Sequence, residues 1–212
     1  MGKKRLTGMA MMLLLGILCV TGCSKEITPV PVPVTTDTIE ITEDGRIIGY
    51  MVEPFDKEYY VLGELDAMVR EEIAEYNANN QNLSTESGRV PIIVDKVMMA
   101  EDGSKNVVVA LSFQNAAVYE NYMQQELFIG TVKEANEAGY VLEQKVSGVK
   151  DGETLTKEQL QKNEEKNILI FTEPISVRLS KEVQFISANA KIDENGFVDC
   201  TADEELKYII YK

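Results

Sequence analysis

Four glycine turns divide the body of this chain into short β-forming runs: Asp44-Gly45, Asp102-Gly103, Asp151-Gly152 and Glu194-Asn195-Gly196. Glycine adopts φ > 0 at little cost, and Asp-Gly or Asn-Gly between β-rich runs is a strong short-range hairpin signal. The first turn joins residues 38–42 to 46–52, and the second joins 90–100 to 106–113. The third follows 140–149 and leads into a polar segment, while the fourth turns 183–192 onto 197–200. Residues 207–211, KYIIY, read as a last strand.

Helical patterns fall between these hairpins. Leu62, Leu65, Met68, Val69, Ile73 and Tyr76 recur at spacings of three and four, which places them on one face of a helix over 63–79. A second helix starts at Asn115 with Val118, Tyr119, Tyr122 and Met123 on one side. A third starts at Thr131, where Thr131 and Glu134 form a capping box and Gly139 supplies the stop. A fourth, 156–163, repeats the Thr-x-x-Gln start. Hairpins with about three short helices inserted irregularly imply a single α+β domain built on an antiparallel sheet, spanning residues 39–212.

Composition removes several function classes. The chain has no His, which excludes Ser-His-Asp and Cys-His catalysis and every His-ligated metal site. With 21 Lys and Arg against 35 Asp and Glu, its net charge of −14 argues against nucleic acid as a partner, because phosphate binding needs clustered bases.

The first 22 residues read as an address. Lys3, Lys4 and Arg5 precede an apolar run over 9–20, too short for the roughly 20 apolar residues that span a bilayer. Val20-Thr21-Gly22-Cys23 then resembles the lipobox of bacterial lipoprotein signal peptides. That resemblance implies cleavage before Cys23, a diacylglyceryl thioether on its sulfur, and residence at the extracytoplasmic face of the cell membrane. Cleavage would remove three of the 21 bases and no acid, so lipid rather than charge must hold so acidic a body to an anionic leaflet. Residues 23–38 follow as lipidated Cys and stalk, with Pro29, Pro31 and Pro33 alternating with valine. Alternate prolines favour an extended spacer of about 3.1 Å per residue.

Cys200 is then the single thiol left in the body, without a partner for a disulfide, and reads as a small buried hydrophobe. Several further stretches resemble uncharacterised small lipoproteins of clostridial and related bacteria. They are Asp56-Lys57-Glu58-Tyr59-Tyr60 with Glu64-Leu65, residues 71–77 (EEIAEYN), 107–113 (VVVALSF), and 128–135 (FIGTVKEA) with Ala138-Gly139-Tyr140. The resemblance covers roughly residues 50–142, implies a shared fold and localisation, and brings no activity.

The chemical candidates are few. Asp193, Asn195, Asp199, Asp203, Glu204 and Glu205 supply oxygen at the short spacing Ca²⁺ favours. Setting Gly196 sixth in an EF-hand loop, however, puts Lys191 first and Ala202 twelfth, so that pattern fails and no metal is expected. Ser147-Gly148-Val149-Lys150 has Ser-x-x-Lys spacing but lacks the Ser-Asp-Asn and Lys-Thr-Gly partners of that chemistry. The acids are so many that no pair among them is evidence of glycosidase chemistry. Tyr119 and Tyr122 read as core, whereas Tyr59-Tyr60, as neighbours in a strand, point to opposite faces with one exposed.

The sequence therefore leads to a membrane-anchored surface lipoprotein, lipidated at Cys23, without cofactor, acting as a non-enzymatic binding module for an envelope protein or small ligand. A carboxylate-dependent envelope hydrolase is one alternative, requiring a concave site with two close acids of raised pKa. A single-lobe ligand-binding lipoprotein serving a transporter is the other.

Overall fold

A computed structural model describes residues 34–84, 88–143, 145–150, 152–203 and 205–212, all within one compact unit. Cys23 and most of the expected stalk lie outside the described residues. The chain enters the sheet earlier than residue 39. Asp37 accepts the Val52 N–H at 2.8 Å and Thr38 already pairs with Tyr50, so the last two residues of the expected stalk belong to the body.

The fold is α+β, with two sheets in place of the single one expected. Strands β1 (Thr38–Ile41), β2 (Ile47–Pro54), β3 (Ile92–Met99), β4 (Asn106–Phe113), β9 (Ser176–Leu179), β11 (Lys191–Ile192) and β12 (Val198–Asp199) form sheet A, in the order β11-β12-β9-β1-β2-β4-β3. Strands β5 (Leu127–Thr131), β6 (Val146–Gly148), β7 (Thr154–Leu155), β8 (Asn167–Phe171), β10 (Val183–Ser187) and β13 (Lys207–Tyr211) form sheet B, in the order β5-β8-β13-β10-β6-β7. Pairing is antiparallel except between β1 and β9.

The turns are local and follow the glycines. Between β1 and β2, Thr42 N–H bonds Arg46 C=O, Gly45 N–H bonds Thr42 C=O, and Gly45 takes φ +80°. Asp193, Gly196 and Phe197 repeat this construction between β11 and β12, with Gly196 at φ +83°. The fourth turn does not, however, fold a continuous 183–192 strand. The chain breaks at residues 188–190, so β10 joins sheet B while β11 crosses to sheet A.

Two cores explain which elements pack. Ile39, Ile41, Ile47, Leu111 and Phe113 of sheet A face Leu127, Leu169, Phe171, Ile186 and Ile209 of sheet B. The opposite face of sheet B carries Ile168, Ile170, Tyr208 and Ile210, covered by Val132 and Ala135 of α3 (Val132–Glu137) and Leu160 of α4 (Lys157–Gln161). Strands β8 and β13 are thus buried on both sides, and a strand so covered loses the polar alternation that marks a half-exposed one. Each fully buried Ile or Leu there contributes about 1.5–3 kcal/mol.

The helices follow their caps. Asn115 caps α2 (Ala116–Met123) by accepting the Val118 N–H, and Thr131 and Thr156 form the expected capping boxes of α3 and α4. Gly139, at φ +91°, and Tyr140 return their N–H groups to Asn136 and Ala135, which closes α3. Helix α1 (Leu62–Asn79) is long and docks through Val69, Ile73 and Tyr76. Met68 departs from the expected face, at 59% exposed. At about 100° per residue it stands roughly 100° around the helix from Val69.

Candidate functional site

The acidic tail is organised, but around a lysine. Lys207, the first residue of β13, is fully buried. Its Nζ donates to the carbonyls of Thr172 (2.9 Å), Glu205 (3.0 Å) and Asp203, and lies 3.2 Å from Asp203 Oδ1. Of the side chains that suggest a cation site, only Asp203 reaches this ammonium, and main-chain carbonyls supply the rest of its shell. Asp193 and Asp199 turn away to close local turns, accepting from Asn195 and Phe197 N–H and from Thr201 N–H respectively. Glu204 lies outside the described residues. Among the described residues, no group of three or more His, Cys, Asp or Glu side chains is placed to hold a metal. Cys200 is buried beside this loop, and burial pushes its thiol up to about 12 despite the opposing charge of Lys207.

Other sequence candidates are not brought together. Ser147 lies in β6, paired with Ile186 and Thr154, while Lys150 Nζ is bonded to the Glu182 carboxylate. Burial raises the pKa of Glu40 and of Asp95, against the opposing pull of Arg178 and of Ser112 respectively. These two carboxyls stand on β1 and β3, with β2 and β4 between them. Three strand spacings separate their backbones by about 14 Å, and each carboxyl is engaged by its neighbouring strand, Glu40 accepting the Tyr50 hydroxyl and Asp95 the Ser112 hydroxyl.

Tyr119 is a core residue, as the helical spacing implies, and Tyr122 is half-buried against the same core. Tyr119 is buried against Phe113 at 5.1 Å between ring centroids, and Tyr122 meets Tyr76 edge-on at 5.1 Å. Tyr59 and Tyr60 behave differently from expectation. They occupy a turn rather than a strand, with Tyr60 N–H bonded to Lys57 C=O, so strand alternation does not apply and both are exposed, at 75% and 41%. Tyr60 packs on Phe55 at 4.9 Å and on Tyr59 at 5.0 Å, and Val61 adds 52% exposure beside them. The result is an aromatic ledge at the junction of β2 and α1. Tyr59, Asp56 and partial desolvation together make the Tyr60 hydroxyl a weaker acid, with the Tyr59 interaction foremost.

A groove of about 510 Å³ runs along β5, the edge strand of sheet B. Ala116 and Glu120 of α2 form one side, and Ala138, Gly139 and Tyr140 at the end of α3 form the other. Glu120 Oε1 accepts the Leu127 N–H at 3.0 Å, and Glu126 Oε1 accepts the Tyr140 hydroxyl at 2.8 Å. Phe128 and Tyr140 lie 5.1 Å apart, tilted by 53°. Sequence reasoning missed this groove and the role of Phe55. The signal for the groove is Leu127–Thr131, LFIGT, a short apolar run directly before the Thr131 cap.

No protein-family model, no curated protein and no solved structure matches this chain.

Proposed function

We propose that this chain is a membrane-anchored lipoprotein of the cell envelope, held at the extracytoplasmic face by acylated Cys23, whose α+β domain is a non-enzymatic binding module for an envelope protein. The observation that carries the module is the aromatic ledge of Phe55, Tyr59, Tyr60 and Val61. Large apolar side chains grouped on a surface mark interaction sites, and Tyr suits them because it joins apolar area to a polar tip. The ledge stands between an eight-residue strand and an 18-residue helix, so little order has to be gained on binding. No described helix is long and apolar enough to cross a membrane, and the anchor assigned here is lipid.

Two experiments test the reading separately. Cys23→Ser should abolish labelling by radioactive palmitate and shift the protein from the membrane to the soluble fraction; unchanged labelling and fractionation refute the anchor. A photo-crosslinking amino acid placed at Tyr59 in cells should yield a discrete adduct with an envelope protein that is missing when the same group replaces Lys157 on α4. Equal adducts from both positions, or none from either, refute the ledge as the contact.

A further inference from the structure

We propose that the groove along β5 captures an extended, Lys- or Arg-bearing segment of a partner protein, which adds to the edge of sheet B as a further strand. This rests on reading the domain as a binding module and gives that module a second surface, on different elements from the ledge.

The backbone of β5 sets the geometry. Leu127 N–H and Thr131 N–H point away from β8, because they are held by Glu120 Oε1 and by Glu134 Oε2 at 2.7 Å. In an antiparallel ladder alternate residues direct both backbone groups to the same side, so the N–H and C=O of Ile129 face the groove as well. A residue laid opposite Ile129 makes two hydrogen bonds there. The walls permit this approach, since Ala116, Ala138 and Gly139 present little side-chain bulk.

Charge selects the occupant. The lining holds Glu120 and Glu126 and, among the described residues, no Lys or Arg. Each carboxylate has one oxygen engaged, by Leu127 N–H and by the Tyr140 hydroxyl, which leaves the second for a ligand. The Phe128 and Tyr140 rings offer an apolar wall for the stem of a long cationic side chain and a face for its charge. Because the two glutamates already cap the flanking N–H groups, the ladder gained is short, and recognition leans on the basic side chain rather than on strand length.

The test uses the full chain in neutral detergent at physiological ionic strength, with ¹⁵N-labelled isoleucine. The probe is a blocked hexapeptide of alternating Val and Lys, with Val/Glu and backbone N-methylated versions as comparisons. The Val/Lys peptide should bind saturably, shift the Ile129 amide resonance and slow its hydrogen exchange, and the Val/Glu peptide should do neither. N-methylation should weaken binding about tenfold through lost backbone hydrogen bonds. Glu126→Lys, at an exposed position, should weaken it by about tenfold or more. Equal affinity for the N-methylated peptide, or indifference to Glu126→Lys, would mean general attraction to an acidic protein and overturns the proposal. Protection of Ile129 without peptide, together with concentration-dependent sedimentation, would assign the edge to a second copy and also overturns it. Cross-linking at Tyr59 is read independently, so failure of the groove and failure of the ledge are distinguishable.

Discussion

Replacing Lys207 with Met tests whether a buried ammonium organises the acidic tail. Met keeps most of the length and volume but removes the charge and all three donors. Two effects oppose one another. The ammonium no longer has to be desolvated, a relief that can make apolar replacement of a buried ion nearly neutral. Against this, the carbonyls of Thr172, Asp203 and Glu205 lose their donor together. Hydrogen bonds to a charged group are worth about 1.5–3 kcal/mol each, and removing one partner of a buried pair costs about 3–5 kcal/mol. Because the acceptors are main-chain atoms that no substitution deletes, the second effect should win. Asp203 is partly exposed, so water can reach some of the orphaned oxygens. The expected loss is therefore about 3 kcal/mol, at the low end of that range. With a urea slope of about 2 kcal/mol/M, the unfolding midpoint should fall by about 1.5 M. Urea titration by circular dichroism in a Cys23→Ser background reads this. Labelling of Cys200 followed by peptide mass spectrometry gives a local readout, since loosening residues 200–206 should expose that thiol well before global unfolding. A loss under about 1 kcal/mol, with Cys200 still slow to label, would show that desolvation had cancelled the cage and refute the reasoning.

Three further outcomes follow from packing, capping and charge. At Gly49 an added Cβ would lie 3.0 Å from Cε2 of the fully buried Phe113, so the ring would have to shift by a few tenths of an ångström. Gly49→Ala should cost about 1–3 kcal/mol by overpacking, and an unchanged thermal midpoint would show that the ring yields. Thr131→Ala removes the side-chain acceptor of the Glu134 N–H and should cost about 1 kcal/mol. Hydrogen exchange confined to residues 132–138 should report that loss; a uniform rise across sheet B would refute a local role. Glu182 is bonded by Lys150 and Lys212, which pull its carboxyl down to about 2 from an ordinary 4.5. A depressed carboxyl stabilises the fold above its unfolded value and loses that contribution as pH falls through the folded one. The stability difference between wild type and Glu182→Gln should therefore be full above pH 4.5 and shrink towards pH 2. A difference that stays constant over that window would mean the ion pairs contribute nothing measurable.

What the sequence by itself determined is what neighbours in the chain decide. The positive φ of Gly45, Gly103, Gly139 and Gly196, the capping boxes at Thr131 and Thr156, and the Asn115 cap each depend on a few consecutive residues, so they were legible directly. The same holds for the apolar face of α1 where it docks and for the strands that keep one polar side. Tertiary structure decided the rest. Strand β8 is covered on both faces and so shows no alternation, and β9 finds its parallel partner β1 well over a hundred residues upstream. The split of 183–192 between two sheets, the carbonyls gathered on Lys207, and the groove between α2 and the end of α3 likewise depend on which distant segments meet. Local preferences fix turns and caps because their partners lie within one turn of the chain. Face coverage, edges and charge cages arise when the two sheets close on a common core, and no window of sequence contains that event.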